Sequence, residues 1–552
     1  MKIFLIIVTA RSNLMFVRYP EKKLTIIGCG IISALEAYFA WQSAKACGEQ
    51  IRISMYDKNQ DISETTVSHL VPSLTPDEIL AVVPRGDELL EKLGFLFSEP
   101  GGIRVDDVNG VMNDQALDFI EQVRQSGSDE EGHLARTQNL LALGKKSMEL
   151  WQKIYADGDD ELKQIMEESN FNPCKELEND ELALHRGYRI DLIYNVINAK
   201  QKAQRMQQDY EALGYQHCQL LSPEEVMVLD PFLIDFCLSH SAKDPETNKL
   251  IWQDDAVALY RPGGCLDTKT FLPKFYEYLR KQMGTYINAD GKIKDCFRLK
   301  FNKHVTGVIY DEQSNHPRIH GLRLFDKTKI NKHEYKESDY VFCPGESVGT
   351  LEKLGFNEPA RAGFAGASLM LEIPLTIEKI EQYSQFNHCM EVHQTGVVLA
   401  WQARLKENKI VIGVAGTKAF YGDQKPNENQ AFAKDRNLLQ LNMINDVLPE
   451  FISLALQRDT KGQTLDEADL TSLENNGIAI RWAGVRSVAY DNVPTLGSVY
   501  PIDKEEVIEN ARCTTHAGSG GVSFAPAVVE VSRGDDQSEI AKTALHFGNS
   551  LR

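Results

Sequence analysis

The chain has 552 residues, 79 of them acidic and 60 basic, for a net charge of -19. Apolar residues make up 42% and charged residues 25%, ordinary values for a soluble globular protein able to bury a large core. This charge balance argues against a nucleic-acid partner, which needs a basic face, but leaves room for a local basic pocket. The ten cysteines are scattered, none closer than 18 residues apart, so neither a zinc-type spacing nor a disulfide framework is read from them. Reduced thiols in a cytoplasmic protein are the simpler expectation.

In chain order, "MKIFLIIVTARSN" is too short to span a bilayer and has a poor signal-cleavage site. Residues 1–22 are read as an N-terminal extension, which leaves peripheral membrane association open. No integral membrane segment is expected. Residues 24 to 57 then read as strand, glycine turn, helix and strand: "LTIIG", Ile31 to Cys47, and "IRISMYD" ending at Asp57. In the turn, Gly28 permits the tight bend and Gly30 lets backbone approach a pyrophosphate. Ser33 stands where a third glycine usually allows close helix–strand packing. An acid at the end of the second strand, Asp57, suits ribose hydroxyls. This stretch alone leaves NAD and FAD open.

Residues 85 to 250 carry helical periodicity in "LLEKLGFLF", "NDQALDFIEQVRQ", "LARTQNLLALGKKSMELWQKIYA" and "LIYNVINAKQKAQRMQQDYEALGY". "SGSDEEG" (Ser126 to Gly132) and "DGDD" (Asp157 to Asp160) read as connectors. Ser222 with Glu225 predicts a capped helix start. From residue 258, "LYRPGGCLDTKTFLPKFYEYLRK" is strand, glycine turn and helix. "FNKHVTGVIYD", "RIHGLRLF", "YVFCPGES", "SLMLEI", "TGVVLAWQARL" and "KIVIGVAG" read as strands. The C-terminal region adds "GIAIRWAGVRSVAYDNVPTLGSV" and a second glycine turn, Gly518 to Gly521, opening a helix. Two such turns at opposite ends suit a long dinucleotide. No Ser-His-Asp or metal constellation emerges.

These pieces, in order "IIGCGIIS", Asp57, "SETTVSHLVPS", "RPGGCLDT", "HVTGV", "CPGES", "WAGVRS…PTLG" and "THAGSGGVSFAP", resemble the D-amino-acid oxidase-type family of FAD-dependent oxidoreductases. The resemblance runs from residue 24 to 535, and "WAGVR" with "HAGSGG" is its specific part. It implies α/β plus α+β architecture: a Rossmann-type FAD-binding domain built from discontinuous segments (23–100, 255–350 and 477–535), an inserted mixed-sheet substrate domain with a helical insertion (101–254 and 351–476), and a tail (536–552). It implies FAD as cofactor, held by Gly28, Gly30, Ser33, Asp57, Lys58, Thr65, Thr66, Val305, Gly345, Gly518, Ser519, Gly520 and Gly521. Arg486 matches the arginine that grips the substrate carboxylate, although Ser487 follows it where the family has proline. His516 and Tyr490 are further candidates near the reacting centre, and His69 a weak one for covalent flavin attachment. The expected reaction is oxidation of the C–N bond of a small amino or imino acid, with oxygen or a quinone as acceptor. A hydroxy acid or polyol phosphate is the alternative substrate. A flavoprotein that mainly binds a partner, through the acidic helical insertion, is the alternative role.

Overall fold

The computed structural model describes residues 22–65, 73–75, 114–128, 130–171, 188–212, 218–288, 290–311, 316–325, 338–345, 350–358, 361–384, 386–394, 397–422, 430–490, 494–502, 506–515 and 521–534. Two large sheets carry it. In chain order their strands are β1 (Lys22–Ile27), β2 (Ile51–Tyr56), β3 (Tyr188–Ile193), β4 (Gln219–Leu221), β5 (Val257–Pro262), β6 (Phe297–Lys300), β7 (Ser338–Phe342), β8 (Arg361–Pro374), β9 (Asn387–Gln394), β10 (Val397–Lys406), β11 (Lys409–Gly422), β12 (Ala479–Ala489), β13 (Thr495–Ser498) and β14 (Ala511–Thr515). The helices used below are α1 (Ile31–Ala46), α2 (Asp114–Ser128), α3 (Glu130–Asp157), α4 (Thr268–Met283), α5 (Gln430–Val447) and α6 (Ala525–Ser532).

The first sheet runs β6-β2-β1-β7-β14-β13. Its first five strands are parallel and β13 closes the edge antiparallel to β14. Parallel strands covered on both faces should be apolar throughout, and β1 is buried over its last four residues. Helix α1 packs here, with Tyr38 against Phe275 and Trp41 edge-on to Tyr278 of α4. Glu36 interrupts the apolar stripe of α1 and is fully buried. Its carboxylate accepts from Arg512 Nη2 at 2.6 Å and from Thr514 Oγ1 at 3.3 Å, tying α1 to β14. The N- and C-terminal parts of the chain thereby share one core.

The second sheet runs β12-β8-β11-β10-β9-β3-β5-β4, antiparallel except between β9 and β3. One face buries Leu369, Leu371, Val392, Leu399, Trp401 and Ile412 against α5 and its neighbours. Strand alternation puts Arg189, Asp191, Arg261, Glu391 and His393 on the other face.

Several expectations shift. Strands β5 and β12, grouped by sequence with the nucleotide segments, belong to the second sheet. "LIYN" lies at the end of β3 and beyond, and the helix expected there begins only at Ala199. Backbone pairing with β5 and β9 outweighs the local helical periodicity. "SGSDEEG" is not an open connector: α2 runs to Ser128 and α3 starts at Glu130. At "DGDD" the break is real, and Asp159 caps the next helix by accepting from the Leu162 N–H at 2.9 Å. The Ser222/Glu225 capping box is present. "LLEKLGFLF" lies outside the described residues.

Candidate active site

Where β1 ends, the chain must turn sharply beneath its neighbour β7. Gly28 has φ +111°, and a Cβ there would sit 2.2 Å from the Cys343 carbonyl oxygen. Both conformation and space therefore demand glycine. Gly30 differs: a Cβ at that position would meet nothing within 4 Å. Gly30 is the N-cap of α1 and provides no side-chain hydrogen bond, and the first turn holds no acid. The N–H groups of that turn thus begin the helix without a protein side chain capping them. Asp57 steadies the turn from β2, its carboxylate accepting from the Cys29 N–H at 2.8 Å and the Asn59 N–H at 2.9 Å. Tyr276 of α4 donates to the Gly30 carbonyl at 3.2 Å.

This turn opens into a cavity enclosing about 1200 Å³ of empty space, its mouth included. Pockets that take a cofactor or drug-sized molecule are of this order. Gly28, Gly30, Ser33, Asp57, Lys58, Thr65, Val305, Gly345, Arg486 and Gly521 all line it. Every cofactor-site residue picked from sequence that falls among the described residues is therefore in one place. Thr66, His69, His516, Gly518, Ser519 and Gly520 lie outside the described residues. Tyr490 follows β12 directly, is half-buried, and does not line the cavity.

The lining is electropositive in an acidic protein. Lys58, Lys303 and Arg486 face it with His304, against the single carboxylate of Asp57. Lys303 and His304 were not picked from sequence as site residues, though His304 opens the quoted "HVTGV". Buried hydroxyls on the wall, Ser487 Oγ and Thr515 Oγ1 among them, have no hydrogen-bond partner among the described residues. Both are placed to bond a ligand in the cavity. Ser33 is buried, and its hydroxyl faces the Cys343 thiol, whose pKa burial pushes well up while that hydroxyl pulls it down. A serine at this packing position is thus accommodated between helix and strand.

Arg486 sits within β12, paired with Phe364 of β8. The pairing continues unbroken through Ser487 to Ala489, so serine in place of proline leaves a regular strand rather than a shifted loop. Two glycines shape this face. A Cβ on Gly366 would lie 2.9 Å from Arg486 Nη2, and one on Gly484 would lie 1.8 Å from Trp482 Cη2. Each bare backbone makes room for one large side chain. "WAGVR" marks Gly484 and Arg486, but nothing local in the sequence marks Gly366, which pairs with Gly484. Phe119 of α2 packs edge-on to Phe364, bringing the helical insertion against the same strand.

A second polar group lies elsewhere, on β3, β5 and β9. Arg189 pairs with Asp191 at 3.0 Å and Glu391 at 2.9 Å, and Arg261 bonds both the same carboxylates. His393 Nε2 is 3.3 Å from Glu391. Burial works against the Glu391 charge, but both guanidiniums overrule it and hold its pKa well below the usual range. Burial lowers the His393 pKa. Asp191, Glu391 and His393 are close enough for a metal ion, but two arginines already neutralise both carboxylates.

No protein-family model and no curated protein sequence matches the chain. Among solved structures, it is similar to an L-amino acid deaminase from Proteus vulgaris, with 11% identity over 95% of each chain and a TM-score of 0.44. NikD, an amino acid oxidase of nikkomycin biosynthesis, aligns over 95% of each chain at 11% identity and a TM-score of 0.48. A glycerol-3-phosphate dehydrogenase from Bacillus halodurans complexed with FAD aligns at 13% identity and a TM-score of 0.41, over 95% of this chain and 65% of that one.

Proposed function

We propose that the chain is an FAD-dependent oxidoreductase of the D-amino-acid oxidase type, and that it oxidises the C–N bond of a small amino or imino acid. The observation that carries this reading is an electropositive cavity in which both the glycine turn of α1 and Arg486 take part. A dinucleotide's pyrophosphate fits the uncapped start of α1, where backbone N–H groups and the helix dipole favour an anion. Gly28 and Gly30 would allow its approach, Asp57 and Val305 would serve the adenosine end, and Gly345 and Gly521 would hold the rest, all being residues of the cavity lining. Lys58 and Thr65 complete the set, with Thr66 and Gly518 to Ser519 and Gly520 expected beside them. The unpartnered Ser487 and Thr515 hydroxyls offer hydrogen bonds to a ring system.

FAD, when bound, supplies the hydride acceptor. Arg486 holds the substrate carboxylate, because a guanidinium presents two parallel N–H groups to two oxygens. Gly366 seats that guanidinium on the sheet face. The protein's share is therefore orientation and exclusion of water, which does not require a protein base. His516 remains a proposed neighbour of the reacting centre, Tyr490 lying off the cavity lining, and oxygen or a quinone is the proposed acceptor.

A mainly partner-binding role is disfavoured by how the helical insertion is used. Leu140, Leu143 and Leu150 of α3 pack on Phe524 and Val528, a few residues after Gly521 in the chain. Trp151 Nε1 donates to the Val522 carbonyl at 3.2 Å, and the Ser147 hydroxyl to that of Ser523 at 2.6 Å. The insertion thus buttresses the cavity's own wall. Turnover of an amino-acid panel with an artificial electron acceptor tests the reading. Activity lost in Arg486→Ala with FAD still bound supports the site, whereas no activity on any amine with FAD bound sinks the substrate class.

A further inference from the structure

Among nine cysteines in the described residues, two come together from distant parts of the chain. Cys265 ends the short strand Gly264–Cys265 that leads into α4, and Cys389 lies in β9. The two thiols lie within electrostatic range of each other. The Cys389 thiol also donates to the carbonyl of Gly264, the residue before Cys265, at 3.3 Å. Asn170 brackets the pair. Its carbonyl accepts from Cys265 Sγ at 3.4 Å, and its side-chain amide oxygen accepts from Asn387 Nδ2, two residues before Cys389, at 3.0 Å. Cys265 is buried, whereas Cys389 is half-buried and is the thiol that an oxidant reaches first. The neighbouring Cys389 and burial push the Cys265 thiol well up, and Arg404, across from Asn387 in β10, only partly offsets this, so Cys389 is the thiol that reacts first.

We propose that Cys265 and Cys389 are a redox modification site, closed to an intramolecular disulfide by an oxidant of the hydroperoxide class. The Cys389 thiolate attacks one peroxide oxygen, giving a sulfenic acid and releasing hydroxide, which takes up the thiol proton and leaves as water. Cys265 Sγ then attacks the Cys389 sulfur, the S–O bond breaks, and the departing hydroxide takes the Cys265 proton as a second water. Two thiols lose two electrons, and one hydrogen peroxide is reduced to two waters. The cross-link joins the segment feeding α4, whose Tyr276 donates to Gly30, to the second sheet. This site stands on its own, whatever cofactor fills the cavity.

The test uses the full chain with Cys47→Ser, which removes the thiol that is exposed among the described residues and its intermolecular reactions. The protein is treated with hydrogen peroxide, alkylated and digested with trypsin. The site predicts loss of two titratable thiols per chain, restored by dithiothreitol, and a linked pair of peptides spanning 250–269 and 380–404. Cys389→Ser and, separately, Cys265→Ala should each abolish the linked pair in folded protein. Unchanged thiol number, linkage to any other cysteine such as Cys174, or Cys389 halting at the sulfinic acid would overturn it.

Discussion

Gly366 and Arg486 stand on neighbouring strands so close that a single methyl on Gly366 would come 2.9 Å from Arg486 Nη2. The glycine is a seat for the guanidinium, and its bareness sets where a carboxylate would be held. Gly366→Val should displace Arg486 and weaken substrate more than it slows the bound complex. A charge-assisted hydrogen bond is worth about 1.5–3 kcal/mol, so kcat/KM should fall by roughly 10- to 100-fold, mainly through KM. Steady-state kinetics with flavin content checked by absorbance decides it, and an unaltered KM would contradict the seat.

Gly28 should tolerate no side chain. Gly28→Ala combines a left-handed φ with a contact on the Cys343 carbonyl, at a backbone cost of about 1–3 kcal/mol before the clash is counted. The expected outcome is a colourless or weakly loaded protein with a lowered melting temperature. Gly30→Ala meets no protein atom, so it should fold normally and lose cofactor affinity alone. Calorimetry beside cofactor titration separates the two.

Glu36, fully buried, pairs with the half-buried Arg512 between α1 and β14. Glu36→Ala leaves the guanidinium without its carboxylate, which should cost about 3–5 kcal/mol. Glu36→Gln keeps part of the hydrogen bonding and should cost less. Urea unfolding measures both, and equal stability of all three proteins would refute the role.

The cluster on β3, β5 and β9 predicts an acid-side loss of stability in two steps. His393 is held neutral by burial, so its folded pKa lies below the unfolded value of about 6.5. Its contribution is full above that pH and is lost as the pH falls through the lowered value. Glu391, held ionised by Arg189 and Arg261, adds a second loss starting below about pH 4.5. His393→Gln should flatten the upper step and leave the lower one. Thermal unfolding from pH 7.5 to 3.5 reads both limbs.

How much of this was legible in the sequence depends on whether a feature is local. The glycine turn, α1, Asp57 and the Ser222 cap follow from spacing, because each is made by residues close in the chain. So do most strands after residue 297. The membership of β5 and β12 in the second sheet was not legible, since sheet order is decided by partner strands far away in the chain. Glu36 could have been flagged as a charge on an apolar helical stripe, but nothing nearby names Arg512 as its partner. Gly366 escaped for the same reason: its significance is the side chain of Arg486 across the strand pair. Cys265 and Cys389 read as isolated thiols because the contact exists only after β9 pairs within its sheet.

The central claim is that the electropositive cavity holds FAD and that Arg486 presents an amine-bearing carboxylate to it. Its most direct test is the visible absorption spectrum of the purified protein, followed anaerobically as amino and imino acids are added. A flavin spectrum that bleaches with such a substrate, and stays yellow but unbleached in Arg486→Ala, is the predicted result. A protein that binds no FAD even when FAD is added, or whose Arg486→Ala variant bleaches at the wild-type rate, would contradict it.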